Sequence, residues 1–153
     1  KYFKPKEDNM STMTMKELSK AMGEIDFTML TTRTEGGQLA TRPMSNNGEV
    51  EYDGDSFYFS WDSARTVNDI GRDPQVALSF QGSAGLVGKP PLFVAVEGTA
   101  RIVRDKGAFA EHWSSDLQRW FPKGIDTDGL VMIHVHADRI HYWDSNDEGE
   151  ISI

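Results

Sequence analysis

The sequence predicts a mainly β, α+β domain: a six-stranded antiparallel β-barrel with helices packed at its ends. Runs rich in β-branched and aromatic residues recur along the chain, separated by turns bearing Gly or Pro. Only two or three stretches carry helical spacing instead. The links between runs are mostly short, as antiparallel neighbours require, and closing such a sheet removes its edges.

The elements follow in order. Residues 1–11 are polar and read as a loose lead-in, leaving 12–153 as one domain. Thr14 and Glu17 have the spacing of a capping box, and Met15, Leu18 and Met22 fall on one helical face before Gly23. A helix is expected over about Thr14–Met22. The run IDFTMLTTRTE then turns at Gly36-Gly37 into QLATRPMS, which gives two strands. EVEYDGDSFYFSW reads as a hairpin around Asp53-Gly54, with Phe57, Phe59 and Trp61 on one face and Tyr58 and Ser60 on the other. A short helix is expected from about Ser63 to Ile70, closed by Gly71 and Pro74.

QVALSFQ is a compact buried strand, GSAGLVGKPP a loop, and LFVAVEGTARIVR a long strand bulged or bent at Gly98. Phe109, Trp113, Leu117 and Trp120 share a face at helical spacing, as a helix or a broken helical pair. DGLVMIHVHADRIHYW is the last strand expected. Val131, Ile133 and Val135 point to the core there, with Leu130, Met132, His134 and His136 opposite. The acids of SNDEGE read as a solvated loop.

Composition narrows function. The chain has 153 residues, 38% of them hydrophobic, a formal net charge of −8 and no cysteine. Disulfides and thiolate chemistry are excluded. An acidic chain has no general attraction for nucleic acid or anionic membrane, so neither is expected as a partner. No apolar run reaches the length of a membrane span and no signal peptide is visible, so the expected location is cytoplasmic. Gly88-Lys89 imitates a phosphate loop, but Ser83 and Pro90 occupy the positions of the required Gly and Ser/Thr. His134 and His136 share a strand face, yet His141 has the opposite parity if the strand continues, so no metal site is expected.

One constellation carries chemistry. In FYFSWDSARTVNDI a strand runs into the mouth of a helix bearing Ser63, Arg65 and Thr66. A helix N-terminus presents free N–H groups, hydroxyls donate to phosphate, and Arg adds bidentate bonds. Ordinary capping by Asp62 or Ser63, with Arg65 in water, explains the same residues. In ATRPMS, Pro43 sits within a strand-like run, which it confines to an edge or interrupts. Such a strand frees backbone groups for a flat polar ligand, and Arg42 adds a cation. A ligand with a phosphate and a polar ring system, such as flavin mononucleotide (FMN), meets both demands.

On these segments, with VAVEGTARIV, HW…RWFPKG and IHYWD, the chain resembles the pyridoxamine 5′-phosphate oxidase-like superfamily of FMN-binding split barrels, in its general stress protein branch. The resemblance implies a six-stranded antiparallel split β-barrel, and a homodimer with flavin sites at the interface. It implies that the backbone of Arg42, Pro43 and Met44 lines the flavin ring and that Ser60 and Trp61 lie beside the ribityl chain and ring. Arg65 matches the phosphate-binding position, with Thr66 next to it. Trp143 matches an aromatic that reaches the flavin.

FMN is the expected cofactor, with FAD, a deazaflavin or haem as the alternatives that related barrels admit. LFVAVEG lacks the Gln of the oxidase proper, and the C-terminal Arg-containing substrate motif is absent. Pyridoxamine phosphate is therefore not the expected substrate. The expected activity is a flavin-dependent oxidoreductase, with NAD(P)H as a candidate electron donor and no catalytic residue assignable. A non-enzymatic flavin carrier and a cofactor-free dimeric module are the alternatives.

Overall fold

The computed structural model describes residues 13–48, 50–83, 88, 90–145 and 147–153. The polar lead-in and residues 84–87 and 89 of the loop around Gly88-Lys89 lie outside the described residues.

Helix α1 spans Met15–Met22, and the Thr14 hydroxyl accepts from Glu17 N at 3.1 Å. That bond satisfies one of the free donors at the helix start. Leu18 and Met22 are buried and Met15 packs against the core. The strands that follow are β1 (Phe27–Arg33), β2 (Leu39–Ser45) and β3 (Asp55–Trp61). Helix α2 (Arg65–Arg72) leads to β4 (Gln75–Gln81) and β5 (Phe93–Val103). Helix α3 (Lys106–His112) and two short 3-10 turns precede β6 (Leu130–Asp144) and β7 (Asp147–Ile151).

All pairings are antiparallel, in the order β2-β1-β4-β5-β6-β3, with β7 also on β6. The sheet is not closed: β2 and β3 end it. This is the split form of the expected barrel.

The core has two parts. Inside the sheet, Leu18, Leu30, Tyr58, Leu78, Val96 and Ile133 pack together with their neighbours. Each fully buried aliphatic side chain contributes about 1.5–3 kcal/mol. On the other side, Phe59 and Met132 meet Phe109 of α3, with Phe121 and Leu130. The expected facing of β3 and of the first half of β6 therefore holds. So does the broken helical pair, although Trp120 departs from its shared face and is 54% exposed.

Three expectations are corrected. The stretch before β3 is not the first arm of a hairpin. Among the described residues it forms bends, because Tyr52 N donates to Ser19 Oγ of α1 at 2.6 Å and the chain is drawn to the helix instead of to β3. β3 pairs with β6. Second, the acids read as a loop form a seventh strand, β7, in which Gly149 and Ile151 are buried and Glu148 and Glu150 pair with His141. Third, the expected irregularity at Gly98 exists, but its extra residue is on the partner strand. Glu97 faces Arg139 and Gly98 faces Ala137, so Asp138 bulges out. The buried positions of β6 accordingly switch from Val131, Ile133, Val135 and Ala137 to Ile140 and Tyr142. His141 thus lies on the same outer face as His134 and His136.

Candidate functional site

The two ends of the open sheet frame a cleft. β2 is an edge strand, hydrogen-bonded only to β1, with Met29 opposite Pro43. Its missing N–H costs no ladder bond at that position. Arg42, Pro43 and Met44 of β2 form one side of the cleft, and Ser60 and Trp61 of β3, with Thr66 of α2, form another. Leu117, Trp120 and Phe121 from the segment after α3 add an apolar wall. The cleft has a volume of about 380 Å³ and opens to solvent. Trp61 is tilted against Phe121 at 5.1 Å between ring centroids.

Arg42 is the cation of this cleft. Its side chain is 20% exposed. Nη1 donates to Thr32 Oγ1 at 2.7 Å and to Leu30 O at 3.3 Å. Nη2 lies 3.5 Å from Asp69 Oδ2, a loose ion pair. Nε has no acceptor among the described residues. Burial lowers the Arg42 pKa from its ordinary value, Asp69 opposes that, and Arg65 adds to it. The side-on edge of the guanidinium, Nε with Nη2, is thus left to bind. That edge suits bidentate recognition of a carboxylate or phosphate.

Ser63 and Arg65 line a second depression beside the cleft, with Gln38, Asn68, Asp69 and Arg72. α2 begins at Arg65, with Ala64 as its cap and no side-chain capping bond, so neither Asp62 nor Ser63 caps it. Asp62 pairs instead with Arg104 at 2.6 Å. Arg65 is exposed and has no hydrogen-bond or ion-pair partner among the described residues. Trp143 lies elsewhere, near the far end of β6, opposite Phe93 and Glu148, with its ring 4.4 Å from that of His141.

Asp69, in the second depression, and His112, in the cleft wall, escaped the sequence reading. Asp69 is fully buried and takes hydrogen bonds from Thr32 Oγ1 at 2.8 Å and Arg72 Nη2 at 2.9 Å. Its spacing of three from Thr66, on a helix side next to the apolar Ile70, was the available signal. His112, at the end of α3, lines the cleft and stacks on Phe57 at 3.6 Å, which in turn stacks on His134 at 4.6 Å. His134 and His136 both bond to Asp55 Oδ1, at 2.8 and 2.9 Å. Among the described residues no group of three ligands could hold a metal, and no helix is long and apolar enough to cross a membrane.

Comparison with known proteins agrees with this architecture. A protein from Clostridium acetobutylicum related to general stress protein 26 of B. subtilis superposes with a TM-score of 0.73 at 18% identity, covering 91% of this chain and 94% of that one. General stress protein 26 of Bacillus anthracis gives 0.69 at 19% identity, over 90% and 99%. A FAD-binding protein from Mesorhizobium loti gives 0.66 at 14%, over 85% and 92%. At these identities the likeness is one of fold. No protein of curated function matches the sequence. The family model for pyridoxamine 5′-phosphate oxidase-like proteins matches residues 13–153, nearly the whole chain, and the chain belongs to that family.

Proposed function

We propose that the chain binds FMN in the seam between β2 and β3 and works with it as an oxidoreductase. The observation that carries this reading is the Arg42 guanidinium in a cleft walled by aromatic rings: its Nε has no acceptor among the described residues and its Nη2 is held only loosely by Asp69. Partly buried cations do not leave donors idle without cost, and a ligand oxygen would satisfy them. Trp61, Trp120 and Phe121 offer flat apolar surface to a ring system. Ser63, Arg65 and Thr66 at the start of α2 offer two hydroxyls and a second cation for a phosphate. The residues present therefore fit the group. Bound flavin supplies the redox chemistry, and the protein supplies orientation and electrostatics.

The chain's own residues set the boundary of that chemistry. His112 and Asp116 line the side of the cleft contributed by α3 and the turn after it, where a second substrate would meet groups able to exchange protons. Phe27, Met29 and Leu39 lie on the outward face of β1 and β2 and are 55%, 39% and 69% exposed. We assign that face to a homodimer, which would cover it and close the open side of the cleft. Trp143 would meet flavin only across such an interface.

The test is an absorption spectrum of the purified protein with mass spectrometry of whatever is released on denaturation. Released FMN is the expected result; FAD or a deazaflavin would change the cofactor, and a colourless protein that takes up no added flavin would end the reading. Rapid mixing of the holoprotein with NADH or NADPH then separates an oxidoreductase, whose flavin band bleaches, from a carrier, whose band persists.

A further inference from the structure

We propose that Thr32 and Asp69 are positioning residues for Arg42, forming a one-way hydrogen-bond chain that holds its guanidinium with one edge free for ligand. This rests on the reading that the cleft takes FMN. The direction of the chain follows from donor counts. Thr32 Oγ1 has a single hydrogen, and the Asp69 carboxylate 2.8 Å away accepts it. The lone pairs of Oγ1 are then left for Arg42 Nη1 at 2.7 Å. The other Nη1 hydrogen goes to Leu30 O at 3.3 Å, so Nη1 is saturated by β1.

The anchor cannot wander. Asp69 is 0% exposed, and its second oxygen is held by Arg72 Nη2 at 2.9 Å. Thr32 is 1% exposed and sits next to the end of β1, paired with Ala40 of β2. Arg42 projects from the edge strand, where a long side chain would otherwise sample many rotamers. Fixing Nη1 during folding removes that freedom before a ligand arrives, which is how preorganisation raises affinity. The guanidinium is also kept from collapsing into a tight pair with Asp69. Thr32 takes the hydrogen bond, while the direct ion pair stays at 3.5 Å.

The chain separates from simple charge effects, because Thr32 is neutral. Thr32→Val keeps every charge and nearly the same volume, and leaves Asp69 with Arg72. Titration of the apoprotein with FMN is expected to show about tenfold weaker binding for Thr32→Val, and near wild-type binding for Thr32→Ser, which retains the hydroxyl. Arg42→Ala is expected to weaken binding at least as much, and to add nothing further when combined with Thr32→Val. Thermal unfolding of each variant accompanies the titration, since a purely structural Thr32 would lower the unfolding temperature while leaving affinity unchanged. Unchanged FMN affinity in Thr32→Val, or additive losses in the double variant, overturns the proposal.

If the wild-type protein binds no FMN, the flavin reading falls, and the chain is judged on the free protein by guanidinium 15N NMR. Separate, slowly exchanging Nη signals for Arg42 in the wild type that merge in Thr32→Val support it. Merged signals in the wild type overturn it.

Discussion

His136 Nδ1 donates to Asp55 Oδ1 across 2.9 Å, tying β6 to the first residue of β3. The same carboxylate oxygen takes His134 Nε2 at 2.8 Å. Arg101 Nε donates to His134 Nδ1 at 3.1 Å, and an arginine can only donate, so the neutral His134 carries its proton on Nε2. His136 is the more exposed of the two, at 55% against 19%. Its hydrogen bond to Asp55 raises its pKa above the ordinary 6.5, against an opposing cost of desolvation. Burial acts to raise the Asp55 pKa, but the bonds from His134 and His136 outweigh it and bring the net value below 3.8.

A pH dependence of stability follows from those directions. The raised His136 pKa contributes stability that is complete below pH 6.5 and is lost as pH rises through the folded value above it. The lowered Asp55 pKa contributes stability present above 3.8 and lost as pH falls through its folded value. Asp138 and Asp53 add to the field on His136 from its own strand and from the segment before β3. The unfolding temperature of His136→Gln should therefore fall below that of the wild type at pH 5.5, and the gap should narrow at pH 8.5. A gap that does not change with pH would remove the ionic contribution.

Gly98 is a second point where one side chain decides the fold. A Cβ there would lie 2.8 Å from His136 O and 2.9 Å from Val135 Cγ1. The first contact is backbone, so relief requires moving β6 away from β5 at its bulge. Gly98→Ala should cost about 1–3 kcal/mol, the usual range for overpacking, read as a lower denaturation midpoint in urea. Gly71→Ala is the control, because nothing lies within 4 Å of its added Cβ.

The same region explains what the sequence disclosed and what it withheld. Alternation placed Tyr58 and Phe59 on opposite faces of β3, and this was legible because strand parity is a local property. The facing of His141 was not legible. It depends on the bulge at Asp138, which exists because β5 and β6 must bend together where Gly98 admits a close approach. β7 escaped for a related reason: its acids read as solvated until Arg139 and His141 on β6 are placed opposite them. In the cleft, Arg42 and Pro43 could be picked out because a proline stands within a strand-like run, and Thr66 because it opens a helix, while Met44, Ser60 and Trp61 came from the family resemblance. Thr32 and Asp69 could not, since their roles arise only when β1, β2 and α2 are brought into register.

The outward face of β1 and β2 yields a prediction about assembly. Met29 and Leu39 are exposed on neighbouring paired strands and neither takes part in the core. Met29→Lys combined with Leu39→Lys would place two charges on an interface that the proposed dimer buries. Light scattering at equal concentration should show the wild type at twice the chain mass and the double variant shifted to the monomer. The variant should keep its unfolding cooperativity, because the two positions contact no buried cluster. A wild type that is monomeric throughout would leave the apolar face without the assigned partner, and Trp143 without a route to the flavin.

Arg65 gives the sharpest test of the phosphate assignment. Its side chain is exposed, has no described partner, and lies close enough to Arg42 to lower that residue's pKa. Two cations held near each other in a chain of net charge −8 repel, and a dianion between them would relieve the repulsion. Arg65→Ala should therefore weaken FMN by about 10- to 100-fold, the range for losing a charge-assisted bond. Riboflavin, which has the same ring and ribityl chain but no phosphate, should bind both proteins equally. Added salt should narrow the difference for FMN, because Arg65 is exposed and its field is screened over about 10 Å at 0.1 M. Equal losses for FMN and riboflavin would place Arg65 on the ring or the sugar chain instead. Unchanged FMN affinity would return it to solvent.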